Sequence, residues 1–257
     1  MSGTPVVAGP RQRLLVININ PDAATRNGTR RIARAFERLA RLRVGGDAAF
    51  QVHIRHFRRL SLEEVARLGP TAVVLGPQGV PFDAYPNGAR AHLFALIAAL
   101  ADSARPLLAI CGGHQALVLS HGGAIGPVHG GRASGSYDGH TKETGLRRVR
   151  RVGDGGLVGA ALDGDFVVSH VEGVTLLPSC FELIGEGEPC KVQAIRLRGR
   201  PVWGVQFHPE RDASATPDGR RAGPRRGDGD GVLVAFLREA GLMLQSNDEG
   251  PSDPTRL

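Results

Sequence analysis

Pro106-Leu-Leu-Ala-Ile-Cys111-Gly-Gly-His-Gln115-Ala-Leu117 is an apolar run that ends in a cysteine, followed by two glycines and a helix-forming stretch closed by Gly122-Gly123. The pattern reads as a buried strand, a tight turn carrying Cys111, and a helix. Such a turn lifts its side chain above the carboxyl edge of a sheet, where ligands bind in open α/β folds. Small residues at 109, 112 and 113 let the backbone make the turn. The helix N-terminus favours a thiolate over a thiol. There the N–H of Gly112 points at a developing oxyanion. Taken alone, the segment also fits a buried, inert cysteine in a strand–helix connection.

Upstream, strands and helices alternate. Arg13 to Asn18 is a short apolar run and reads as a first buried strand. From Thr29 to Leu42, Ile32, Ala33, Phe36, Leu39 and Ala40 recur at helical spacing with arginines on the other face. Gln51 to Phe57 alternates and reads as a second strand. Ser61, with Glu64 three residues on, forms the signature of a capping box. Thr71 to Leu75 is a buried strand running into the turn residues Gly76-Pro77-Gln78-Gly79, and Arg90 to Ala101 is an apolar helix. This order implies an α/β fold with helices on both faces of an open, mostly parallel sheet. Phe166–Ser169, Lys191–Leu197 and Val202–Phe207 read as strands joined by short turns, a small antiparallel extension, and Val232–Ala240 as a closing helix. One domain over residues 13–243 is expected. Residues 1–12 are expected to be flexible and 244–257 disordered, with a low-complexity polar stretch from Arg211 to Gly231.

The 257 residues suffice for one α/β domain with a proper core. No apolar run approaches a membrane span, and the N-terminus lacks the apolar core of a signal peptide. A cytoplasmic protein without a membrane partner is expected. The net charge of +7 raises the question of nucleic acid. The cations are almost all arginine, Lys142 and Lys191 being the only lysines, and no aromatic residues interleave with them as stacking platforms. No nucleic-acid partner is therefore expected. Three cysteines, Cys111, Cys180 and Cys190, make no secreted disulfide framework. The histidines are scattered without a matched ligand set and no P-loop is present, so neither metal nor nucleotide cofactor is expected.

A second motif changes the weight of the first. Val202-Trp-Gly-Val-Gln-Phe-His208-Pro-Glu210 is an apolar strand ending in His-Pro-Glu. Residues two apart in an extended chain face the same way, so Glu210 can orient the ring of His208. Together, Ala109-Ile-Cys111-Gly-Gly113-His-Gln115 and Gly204 to Glu210 resemble the GxCxGxQ and GVQFHPE motifs of the class I glutamine amidotransferases. The resemblance covers roughly Leu14 to Leu242. It implies the flavodoxin-like fold of that family, with Cys111 as nucleophile, His208 as base and then acid, Glu210 as orienter, and ammonia released from L-glutamine through a thioester.

The resemblance implies further contacts. Gln115 looks like the family's glutamine-binding residue. Gly76-Pro77 resembles the oxyanion loop, which would make the N–H of Gly76 a donor beside Gly112. Phe166 to Pro178 resembles the segment that grips the substrate's amino-acid end, with Ser169 and His170 acting mainly through their backbone; it reads most like the glutaminase of GMP synthetase. Ala109 and Leu75 stand where glycines are usual, and Gln78 follows Pro77. The chain shows no ATP-using domain of its own, so a separate ammonia-accepting synthetase is the implied partner. The polar loops Gly130–Gly145 and Arg211–Gly231 are expected to flank the mouth of the site. A γ-glutamyl amide or peptide hydrolase with the same three residues is the alternative activity, and a binding module with a dead site a third reading.

Overall fold

The computed structural model describes residues 12–41, 50–131, 135–211 and 228–243. The expected disordered tail, the segment before Gln12 and most of the Arg211–Gly231 stretch lie outside the described residues. Gln12 itself begins the first strand, and its side chain donates to Gly241 O.

Strands β1 (Gln12–Asn18), β2 (Phe50–His56), β3 (Ala72–Leu75) and β4 (Leu107–Ile110) are connected by helices α1 (Asn27–Arg41), α2 (Leu62–Leu68) and α3 (Ala89–Asp102). Helix α4 (Gly112–Ser120) follows β4 at once. The second half adds β5 (Ala124–Pro127), β6 (Glu143–Arg151), α5 (Gly156–Ala160), β7 (Gly164–His170), β8 (Glu172–Leu176), β9 (Phe181–Glu186), β10 (Val192–Leu197), β11 (Val202–Val205) and α6 (Gly229–Glu239). The main sheet has nine strands in the order β2-β1-β3-β4-β11-β10-β9-β6-β7, and β5 pairs with β8 in a separate ribbon. The run from β2 to β11 is parallel, and the pairs from β11 to β7 are antiparallel.

Alternation along the strands builds two cores. Leu14 and Val16 of β1 face one side with Ile32 and Phe36 of α1 and Leu233 and Phe236 of α6. Leu15 and Ile17 face the other with Val65 of α2, Leu93 and Ile97 of α3 and Leu117 of α4. The result is the three-layer α/β arrangement the sequence implies. The antiparallel part is larger than expected, because β6 and β9 join it. The turn region also ends earlier: Gly229 to Gly231 already form the first turn of α6.

The Ser61 capping box forms in full, Ser61 Oγ accepting from the Glu64 N–H at 3.1 Å and Glu64 accepting from the Ser61 N–H at 2.8 Å. Ser61→Ala is expected to cost about 1 kcal/mol, or about 2–4 °C of Tm in a thermal melt. Among the described residues no helix is long and apolar enough to cross a membrane.

Candidate active site

Cys111 sits between β4 and α4 with φ 53° and ψ −108°. Among the described residues it is the one non-glycine with positive φ. Its N–H donates to Val205 O at 2.7 Å and its carbonyl accepts from the Gln115 N–H at 3.1 Å, so the strand ladder and the helix both continue through the turn and hold it in that conformation. The two glycines after it are required by close approach. A Cβ on Gly113 would lie 2.8 Å from Leu75 O, and one on Gly112 would lie 2.5 Å from Gln78 N. The start of α4 is thus pressed against the end of β3 and the loop that follows.

Strand β11 is the parallel neighbour of β4, with Val205 opposite Ile110. The two motifs therefore emerge side by side at the same sheet edge. Strand β11 ends at Val205, earlier than the expected Phe207, although the Gln206 N–H still donates to Gln193 O of β10 at 2.8 Å. The His208 N–H then donates to Val167 O of β7 at 2.8 Å, and the Arg211 N–H closes a turn on His208 O at 3.1 Å. His208 Nδ1 and Glu210 Oε1 are 2.8 Å apart with both side chains almost wholly buried. The expected pairing is present, but a turn makes it rather than extended chain. Burial opposes charge on His208, yet the Glu210 carboxylate and Cys111 on its other side outweigh that and raise its pKa to about 9. Burial likewise pushes the Glu210 carboxyl up, and the charge of His208 overrides it, holding the group below the usual carboxylate range.

Beside Cys111 opens a cavity of about 220 Å³. Gln115, Ser169 and His170 all reach its wall. The side chain of Gln115 is engaged by the protein, Nε2 donating to Glu172 O at 2.6 Å and to Gln206 Oε1 at 3.2 Å, and Oε1 accepting from Gln78 Nε2 at 3.2 Å. His170 is buried with Nε2 2.9 Å from Glu143 Oε2, while Arg147 Nε donates to the other oxygen of Glu143 at 3.0 Å. Behind it His114 is fully buried, its pKa pushed down to about 3 by burial and then by His170, so it is neutral.

Gly76 does not meet the expectation placed on it. Its N–H donates to Ile17 O at 3.0 Å, the hydrogen bond that follows the last β1–β3 pair, Ile17 with Leu75. That donor is engaged by the strand in this structure. The backbone N that borders Gly112 is that of Gln78.

Several cavity residues escape the sequence reading. Tyr137, from the Gly130–Gly145 loop, lies in the wall and donates to Glu172 Oε2 at 2.8 Å while accepting from Gln78 Nε2 at 3.1 Å. That loop does flank the mouth, as expected; His140 and Lys142 line it as well. Burial pushes the Glu172 carboxyl up, partly offset by the Tyr137 hydroxyl, and burial followed by Glu172 holds Tyr137 in its protonated form. Of these, only Gln78 stood out in the sequence, by its place after Pro77.

The family model for glutamine amidotransferase class-I matches residues 40–221. The chain belongs to the class-I glutamine amidotransferase family. It is 37% identical over 129 residues to aminodeoxychorismate synthase of Streptomyces griseus, which covers 50% of this chain and 16% of that protein. It is 32% identical over 173 residues to anthranilate synthase component 2 of Azospirillum brasilense, covering 64% of this chain and 78% of that one. The chain thus spans only a small part of the synthase from Streptomyces. Among solved structures, a glutamine amidotransferase from Thermotoga maritima superposes with a TM-score of 0.62 at 16% identity, covering 90% of this chain and 98% of that one. This last likeness speaks to the fold alone. In this amidotransferase the matched region takes in Gln78, Cys111, Tyr137, Glu172, His208 and Glu210.

Proposed function

We propose that residues 13–243 form one amidotransferase domain that hydrolyses L-glutamine to glutamate and ammonia, with Cys111 as nucleophile, His208 as proton carrier and Glu210 as its orienter. The observation that carries this reading is the placement of His208, held at 2.8 Å by Glu210 and facing Cys111 at the edge of a cavity. An imidazolium beside the sulfur favours the thiolate. The thiolate attacks the carboxamide carbon, and the tetrahedral oxyanion faces the N–H of Gly112 and, in place of Gly76, the N–H of Gln78. His208 gives its proton to the departing nitrogen, which leaves as ammonia, and the glutamyl group remains as a thioester on Cys111. Water, deprotonated by His208, then attacks the thioester carbon and releases glutamate. Glu172 suits the substrate's α-ammonium group and Lys142 its α-carboxylate, with Ser169 and His170 forming the adjoining wall.

The ammonia passes to a synthetase partner. The relatives' names, synthases and a synthase component, support that reading over a free γ-glutamyl hydrolase. The test is glutamate release from L-glutamine, together with peptide mapping after treatment with a glutamine-derived chloroketone. The expected result is an adduct on Cys111. A protein that releases glutamate while its adduct maps elsewhere would overturn the assignment.

A further inference from the structure

Gln206 lies two residues before His208 and is fully buried. Its Nε2 donates to Cys111 Sγ at 3.7 Å. Its Oε1 accepts from Gln115 Nε2, and Gln115 Oε1 accepts from Gln78 Nε2, each at 3.2 Å. Three carboxamides thus stand in line, every one donating toward the sulfur. The far end is tied to the cavity wall, since Gln78 also donates to Tyr137, which donates to Glu172. The direction is set by chemistry. Turned over, Gln206 would set its carbonyl oxygen against the sulfur and its N–H groups against those of Gln115. Hydrogen bonds in such a chain polarise one another, by about 10–30% per bond.

We propose that Gln206 is a positioning residue for the nucleophile: it stabilises the Cys111 thiolate by donating to Sγ and, through Gln115 and Gln78, couples the sulfur to the wall formed by Tyr137 and Glu172. The inference rests on Cys111 being the nucleophile. The other titratable or charged groups acting on the sulfur are His208, Arg211, Tyr137 and Cys190. Burial pushes the Cys190 thiol up to about 12 and Tyr137 also stays protonated, so His208 and Arg211 supply the positive charge there. Gln206 adds a neutral donor of fixed direction.

The test is alkylation of Cys111 by iodoacetamide, followed by mass spectrometry from pH 4 to 10, in wild type, Gln206→Met and Gln206→Glu. In Gln206→Met the acid limb of the rate profile is expected to move up by about one to two pH units, with an unchanged high-pH plateau, as loss of one donor to a charged acceptor implies. Gln206→Glu, which sets a carboxylate against the sulfur, is expected to move it further the same way, and it decides the matter if Gln206→Met does not fold. A purely structural role would change the plateau or the fold, not the limb. Profiles that coincide with wild type, while Cys111-dependent glutamate release persists in the wild type, overturn the role of Gln206 alone. Glutamate release that survives loss of Cys111 would instead overturn the nucleophile assignment on which it rests.

Discussion

Cys111→Ala and Cys111→Gly are both expected to lose glutamate release by about 10⁴-fold or more, yet to differ in stability in the direction opposite to helix and strand propensity. At φ 53° and ψ −108° the backbone of Cys111 occupies a region that L side chains rarely adopt. Holding a side chain there costs about 1–3 kcal/mol. Alanine retains that cost and glycine removes it, while glycine also gains freedom in the unfolded chain worth about 0.4–1 kcal/mol. The net expectation is that Cys111→Gly melts above Cys111→Ala by about 1 kcal/mol, or 2–4 °C. Parallel thermal melts and glutaminase assays check it. Equal melting temperatures would mean that the turn is not strained by its side chain.

Glu210→Gln is expected to lower kcat by about 10²–10⁴-fold through loss of the ring's orienter. Its effect on stability carries a pH signature. The folded pKa of His208 lies at about 9, above its ordinary 6.5, so the stability it contributes is complete below about pH 6.5 and is lost as pH rises through about 9. Glu210 is shifted the other way from 4.5, so its contribution is present above that value and is lost as pH falls toward the depressed folded value. The gap between wild type and Glu210→Gln is therefore widest between about pH 4.5 and 6.5 and narrows toward pH 9. Breaking a buried pair costs about 3–5 kcal/mol, on the order of 10 °C in this window for a domain of this size. Melts at pH 5.5 and 9 decide it; a gap that does not change with pH would mean that the pair is not charged.

Much of this was local and therefore legible in the chain. The Ser61–Glu64 box, the apolar strand before Cys111, the two glycines after it and the amphipathic pattern of α1 each depend on neighbours a few residues away. Such short-range order appears directly as periodicity and turn chemistry. Strand β6 was missed for the opposite reason. Glu143-Thr-Gly-Leu-Arg-Arg-Val-Arg-Arg151 carries charges on both faces and is a strand only because β7 and β9 pair with it.

The sequence by itself determined the layered α/β order, the turn that presents Cys111, and the pairing of the two motifs through a family resemblance. Tertiary structure alone decided what meets at the sulfur. His208 reaches Cys111 because β11 was inserted beside β4, a choice of parallel neighbour that no local pattern records. The N–H of Gly76 is engaged because the hydrogen bond that follows the last β1–β3 pair, Ile17 with Leu75, falls on it. Tyr137, Gln78, Gln115 and Gln206 join across four separated segments, since directional bonds between side chains depend on distances through space rather than along the chain.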